Sequence, residues 1–517
     1  MSCKIFSGAV IGLDTQIIEV ESDISYGLRS FDIVGLGDKA VEESKERIKS
    51  AIKSCGLRPP FSKPEKIIIN LAPADLKKEG SLYDLPIALA YLVKSKQIDA
   101  NCQGRAFAGE LSLDGTLRPI KGGLSFALKA SEAGFLELIL PVENVKEAVL
   151  SQIDTRGNDL KIIGVDSLQT AINYLEGKII IEPAVLDMSK LIEDEGYEIG
   201  LDWVRGQEHA KRALIIAAAG GHNLALIGPP GGGKSLLAKS LPSILPNLSP
   251  GEMLELTKIY SIAGLLSKEK PIITKRPFRS AHHTASKVSI IGGGNPVRPG
   301  EITLAHRGVL FLDEFPEFNR DVIEALRQPL EDGHITIMRA NQRIAFPSHF
   351  SLIAAANPCP CGHLNDPNHP CSCTPSQIAK YRRKLSGPII DRIDMTVELP
   401  QVEFEKLTAP GDNQETIEAK KEIEGARQKQ YERFKDNKIL TNSEMEIPEI
   451  KKYCQIDSSA SNIMRNYVDS GKLSARGYHR VLKIARTIAD LAETEEIALE
   501  NLHEALMYRL PDLPDNQ

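Results

Sequence analysis

LALIGPPGGGKS, residues 224–235, is the stretch on which the reading of this chain turns. Four apolar residues with no polar break mark a short strand buried on both faces. They run straight into GPPGGGKS (228–235), which has the spacing GxxxxGK[ST]. Glycines let the backbone wrap an anion with its N–H groups turned inward. In that geometry Lys234 reaches the outer phosphates of a nucleoside triphosphate and the Ser235 hydroxyl holds Mg2+. Gly228, Pro229, Pro230, Gly231, Gly232, Gly233, Lys234, Ser235 and the adjoining Leu236 are therefore the candidate ATP contacts. The next residues, SLLAKSL, read as a helix, so strand, loop and helix all agree.

Outward from that loop, two more apolar runs end in polar residues. In GVLFLDE (308–314) four apolar residues precede Asp313 and Glu314, and SLIAAAN (351–357) ends in Asn357. Parallel α/β sheets bind ligands at the carboxyl ends of their strands, so these side chains are expected beside the phosphate loop. Asp313 would share the Mg2+ shell with Ser235, and Glu314 would orient and polarise the attacking water. Asn357 would hydrogen-bond the γ-phosphate or that water, its other reading being a turn residue before Pro358. Hydrolysis also needs positive charge on the departing phosphate, commonly an arginine from a neighbouring subunit. SGPIIDRIDM (386–395) offers Arg392, although an arginine between aspartates is usually an ion-pair residue. LSARGYHRVLKIARTIADL (473–491) offers Arg476 at a helix start.

A chain of 517 residues exceeds what one hydrophobic core supports, which predicts two to four domains. With 26% charged and 42% hydrophobic residues it has the composition of an ordinary globular protein. The richest apolar stretch, ALIIAAAGGHNLALIG, is broken by His222 and Asn223, and the first residues lack an export-signal layout, so no membrane segment is expected. Cys3, Cys55, Cys102 and Cys454 are scattered without framework spacing, as suits a reducing cytoplasm. A net charge of −6 excludes blanket basicity, so contact with nucleic acid would have to come from local patches.

Three blocks emerge. Residues 1–180 mix strand-like runs (KIIINLAP, LELILP) with helices such as DKAVEESKERIKSAIKSCG, which stops at Gly56. An acidic, proline-containing passage at 181–200 reads as a linker. Residues 201–400 alternate buried strands with helices, and 401–517 are helical only.

The strings RPFRSAHHTAS, PGEITLAHRGVLFLDEFPEF, AAANPCPCG, SGPIIDRIDM and LSARGYHRVLKIARTIADL, in this order, resemble the magnesium-chelatase-like AAA+ ATPases of the ComM (YifB) type, over essentially the whole chain. The resemblance implies an α/β fold: an AAA+ P-loop core with an α-helical lid. It also implies a homohexamer with ATP between subunits and association with natural transformation. There, such motors drive branch migration on single-stranded or branched DNA alongside recombination proteins. Lys234 and Ser235 match Walker A, Asp313 and Glu314 Walker B, and Asn357 sensor 1. Arg392 matches the trans-acting finger, and Arg476 (or Arg480) sensor 2. Residues of about 253–300 match a helix-2 insert, carrying Arg276, Arg279 and Lys287. HITIMR-AN-QRIAF, within about 332–346, reads as a hairpin with Arg339 and Arg343 near its tip. In related rings these elements line the pore, where cationic tips track a phosphate backbone without reading sequence. Arg382 and Arg383, in KYRRK, add a further basic patch.

LAPADLKKEGSLYDLPIALAYL (71–92) and the segment 109–148 resemble the proteolytic domain of Lon-type proteases, an α+β, ribosomal S5 domain 2-like fold. That chemistry needs a nucleophilic serine and a lysine to take its proton. The nucleophile position falls on Leu82 and the lysine position on Ser125, with Ser81 and Lys129 displaced beside them, so proteolysis is not expected. A scaffold or partner-binding module is. Finally, Cys359, Cys361, Cys371 and Cys373 form C-x-C-x9-C-x-C within 359–373. Four thiolates this close suit tetrahedral Zn2+, with a metal-free loop or a redox pair as alternatives, and His363 or His369 as a substitute ligand. The rival readings of the whole chain are the motor subunit of a metal chelatase and a protein-remodelling AAA+ factor.

Overall fold

The computed structural model describes residues 3–153, 159–187, 197–294, 297–339, 342–364, 369–385, 389, 392–401, 414–435 and 439–509. Its centre is a five-stranded, wholly parallel sheet in the order Phe278–Ala281, Val309–Leu312, Ser351–Ala356, Leu224–Ile227, Met395–Glu398. Alternation across the pleat explains the unbroken apolar runs. Leu224, Leu226, Val309, Phe311, Ile353 and Ala355 fill one core, while Ala225, Leu310, Leu312, Leu352 and Ala354 fill another on the opposite face.

The first of these cores continues without a break into the C-terminal helices, through Ile423 of Glu415–Arg433 and Ile484 of Ala475–Leu491. Helix Glu208–Gly220 contributes to the same core. These C-terminal helices are packed against the sheet through that shared core.

The segment of about 253–300 is not all insertion. Helix Pro250–Ala263 opens it, with Ser249 and Glu252 forming a reciprocal cap, but Phe278–Ala281 is the edge strand of the main sheet. Beyond that strand, the short helix Lys287–Ile291 and the Gly292–Gly293 ladder pack against the hairpin His334–Arg339/Gln342–Pro347. Ile290 and Ile335 share a core, and a Cβ at Gly292 would stand 3.2 Å from Ile337 Cδ1. The two strands pair in register from His334 with Pro347 to Arg339 with Gln342.

The N-terminal region forms a separate seven-stranded mixed sheet ordered Ser30–Val34, Glu65–Ala72, Asp14–Tyr26, Cys3–Ile11, Arg105–Phe107, Glu137–Pro141, Lys161–Val165. Its helix Lys39–Ser54 is capped by Asp38 and stops at Gly56, whose φ of 72° is readily accessible to glycine. Part of the expected linker is docked on this sheet, where Ala184 bridges Ile162, while 188–196 lies outside the described residues. The region grips the central domain through helix Pro250–Ala263: Gly122 N–H donates to Ser261 Oγ at 3.0 Å, and Leu124, Leu150 and Ile272 form a shared apolar cluster.

Candidate nucleotide site

Because all five strands run the same way, their carboxyl ends bring Gly228, Asp313 and Asn357 to one edge of the sheet. Helix Lys234–Ile244 starts there behind Gly233, whose φ of 82° favours glycine. The loop's N–H groups and the helix N-terminus suit an anion. Lys234 Nζ folds back onto the Gly228 and Pro229 carbonyls at 2.7 and 2.9 Å and donates to Asn357 Oδ1 at 3.1 Å. Burial lowers the Lys234 pKa from its ordinary value, with Asp313 acting the other way. A polyphosphate would relieve that penalty by supplying counter-charge.

Ser235 Oγ donates to Asp313 Oδ2 at 2.9 Å, so the hydroxyl and carboxylate that a Mg2+ shell requires are already adjacent. Glu314 follows with φ 51°, and its carboxylate meets His283 Nδ1 at 3.0 Å. The His283 ring lies 4.1 Å from that of His282, tilted by 34°. Both histidines lie just beyond the edge strand, where the sequence showed only a basic segment; nothing in it paired His283 with Glu314.

The arginines are at the other end. Arg392 precedes strand Met395–Glu398, and Asn223, Gly308 and Ser351 mark the opposite, amino-terminal edge. Strands of this length put that edge about 13–20 Å from the phosphate loop. Here a cavity of about 1120 Å³ opens between the sheet and the C-terminal helices, lined among others by Arg392, Arg476, Arg480 and Glu331. Among the described residues Arg392 pairs with Glu331, from the helix that leads into the hairpin, and Arg476 Nη2 lies 4.0 Å from the same carboxylate oxygen. Arg480 pairs with Asp394 at 3.5 Å. Burial would raise the Asp394 carboxyl, but His222, Arg480 and the Asn223 N–H override it and hold it low.

The basic residues expected on DNA separate into two kinds. Arg276 clasps Glu252 through both guanidinium arms at 2.9 and 3.1 Å and donates to the Pro246 and Arg307 carbonyls, pinning helix Pro250–Ala263 to the core. Arg279 is bidentate to Glu301 at 2.6 and 2.9 Å. Neither fork is left facing solvent as the sequence reading required. Lys287, Arg343 and Arg383 are exposed, and Met338 beside the hairpin tip is 76% exposed. The side chains of Arg339 and Arg382 lie outside the described residues.

In the N-terminal region Leu82 packs among apolar residues and Ser125 is buried. Ser81 donates to Glu110 and Lys129 pairs with Glu132 at 2.9 Å, so the displaced serine and lysine each serve another partner. The four cysteines Cys359, Cys361, Cys371 and Cys373 converge, with all four sulfurs within 4.8 Å of one another. Among the described residues no helix is long and apolar enough to cross a membrane.

Comparison with known proteins bears on the whole chain. Residues 200–407 match the family described as magnesium chelatase, subunit ChlI; residues 413–509 match its C-terminal family; residues 20–144 match a third, subunit ChlI of Mg-chelatase. The uncharacterized protein YifB of Escherichia coli (strain K12) is 42% identical over 510 residues, covering 98% of this chain and 96% of that protein. An uncharacterized Mycobacterium tuberculosis protein is 38% identical over 98% of each chain. The competence protein ComM of Haemophilus influenzae is 39% identical over 98% of this chain and 97% of its own.

Proposed function

This chain belongs to the ComM/YifB family of magnesium-chelatase-type AAA+ proteins, ATP-hydrolysing enzymes, and on that premise we propose that it is a hexameric motor that moves branched or partly single-stranded DNA. The supporting observation is the division of the nucleotide chemistry between opposite edges of one sheet. Lys234, Ser235, Asp313, Glu314 and Asn357 stand at one edge, and Arg392 and Arg476 at the other. Side chains that far apart cannot serve one phosphate in the same chain. Head-to-tail packing would bring the arginine edge of one subunit to the phosphate loop of the next, and repetition of such a contact closes a ring.

In this reading Lys234 leaves the loop carbonyls for the outer phosphates. Ser235 and Asp313 would hold Mg2+, which would supply counter-charge to the phosphates. Asn357, released from Lys234, fixes the γ-phosphate or the attacking water. Glu314 orients that water, with His283 setting its carboxylate. Arg392 and Arg476 of the neighbour stabilise the charge on the departing phosphate.

Lys287 and Arg343, with Arg339, are the proposed tracking residues on the DNA backbone. The N-terminal region is proposed to be a Lon-like scaffold without its dyad, spanning 1–180, followed by the motor core to about 400 and the lid beyond. The substrate is proposed to be a recombination intermediate, in keeping with the printed name of the competence relative.

The test is ATP hydrolysis with and without a four-way or D-loop DNA at low salt, followed by displacement of a labelled strand. Several-fold stimulation, with hydrolysis reduced about 10³-fold in Glu314→Gln, is the expected result. No stimulation, with hydrolysis intact, would overturn the DNA assignment and point to a protein or chelatase partner.

A further inference from the structure

We infer that Cys359, Cys361, Cys371 and Cys373 bind one Zn2+ ion, and that this ion braces the phosphate-binding loop so that nucleotide affinity depends on the metal. The second half rests on the reading of residues 228–235 as the ATP site; the first stands without it.

The sulfur geometry is that of a mononuclear site. Cys359 Sγ lies 3.4 Å from Cys361 Sγ and 3.7 Å from Cys371 Sγ, and the last two are 3.5 Å apart. A tetrahedral ion with metal–sulfur bonds of about 2.3 Å requires sulfur edges of roughly 3.8 Å. A disulfide requires about 2.0 Å. The Cys361 N–H also donates to Cys373 Sγ at 3.4 Å, a contact that stabilises thiolate charge around an ion. Cys359 is fully buried and the other three half-buried, so the cluster is not a fortuitous surface grouping. Neither His363 nor His369 is needed to complete the set.

What the site touches gives it a role. Within it, the Gly362 N–H closes a turn onto the Cys359 carbonyl at 3.0 Å. Gly362 has φ +83°, and its bare face lies against Pro230 of the phosphate loop: an added Cβ would sit 2.6 Å from Pro230 Cδ and 2.8 Å from Cγ. On its other side the turn is tied through Pro358 to Asn357, which accepts from Lys234. The ligand-bearing turn therefore touches both the wall of the phosphate loop and the residue facing its lysine. The wedge at Gly362 keeps its shape only while Cys359 and Cys361 are fixed, and four ligand bonds fix them far more strongly than one backbone hydrogen bond.

The experiment begins with metal content of the full-length protein, purified from zinc-replete medium without chelators. Elemental analysis should find about one zinc per chain, released by a thiol-reactive mercurial. Protein without bound zinc that also fails to take it up would overturn the site, and iron in its place would overturn the choice of ion. Affinity for a fluorescent ATP analogue is then measured before and after removal of the metal. The expected result is a rise in Kd of about tenfold on removal, reversed by Zn2+. Gly362→Ala serves as the second variant: it should keep its zinc and still lose nucleotide affinity. Unchanged affinity in both the stripped protein and Gly362→Ala would overturn the brace and leave the metal. Lys234→Ala separates these outcomes from a wrong assignment of the ATP site, because only in that case would it bind the analogue normally.

Discussion

The two edges of the central sheet draw on the same few residue types and arrive at opposite conditions. At the carboxyl edge Lys234 reaches Asn357, and Ser235 reaches Asp313, within one chain and over distances of about 3 Å. At the amino edge Arg392 and Arg476 meet over Glu331 beside a cavity of about 1120 Å³. One edge is a closed polar network, in which each donor already has the partner it would exchange for a phosphate oxygen. The other is a set of cations whose proposed partner belongs to a different molecule. On the proposed head-to-tail reading, catalytic capacity is a property of a contact between copies. That reading predicts that a single subunit binds ATP far better than it hydrolyses it.

The largest effect that could break this contrast comes from mixing variants. Lys234→Ala and Arg392→Ala should each lower kcat by about 10³-fold. If the edges meet between neighbours, equal parts of the two variants assembled together restore about a quarter of the wild-type rate, since one interface in four then pairs an intact loop with an intact arginine. If Arg392 acted on its own chain's nucleotide, no interface in the mixture would be intact and the rate would stay at the level of the separate variants.

A second test sharpens the distinction between cations that hold the fold and cations that await a partner. Arg276 and Glu252 are each only 13% exposed, and removing the arginine strands a buried carboxylate. Arg276→Ala should therefore cost about 3 kcal/mol of stability in a urea titration. Lys287→Ala and Arg343→Ala, at exposed sites, should leave the titration unmoved while reducing the salt dependence of DNA binding by about 0.7–0.9 per residue in logarithmic slope. A stable Arg276→Ala protein with impaired DNA binding would reverse the assignment.

What the sequence made legible follows from how each contact is made. Strands buried on both faces must be apolar throughout, so Leu224–Ile227, Val309–Leu312 and Ser351–Ala356 stand out without any partner being known. The paired strands of the hairpin are equally visible, because their alternation is local. Phe278–Ala281 was hidden inside a supposed insertion: as a four-residue edge strand it keeps Ser280 exposed and buries only Ala281 fully. Arg276 looked like a DNA contact because its immediate neighbours are not acidic, whereas Glu252 reaches it from another element. His283 against Glu314, and Glu331 against Arg392, are likewise products of tertiary packing between segments far apart in the chain. The cysteine spacing announced a cluster, but nothing in it announced that Gly362 leans on the phosphate loop.

The smallest predicted effect concerns the carboxylate that holds the arginine edge in waiting. Glu331 is 46% exposed, and its pairing with Arg392 and Arg476 therefore contributes on the order of 0.5–1 kcal/mol after solvent screening. In the proposed ring, a neighbour's γ-phosphate would have to share or displace that carboxylate to engage either guanidinium. Glu331→Gln removes the competing charge and keeps the side-chain shape, so the apparent KM for ATP should fall by about two- to fivefold. Because Glu331 stands only three residues before the hairpin strand His334–Arg339, the factor by which DNA stimulates hydrolysis should change in the same variant. A rise in KM together with a loss of kcat would mean that Glu331 aims Arg392 and does not restrain it. The amino edge would then be as pre-organised as the carboxyl edge, and the difference between the two would lie only in which chain supplies the phosphate.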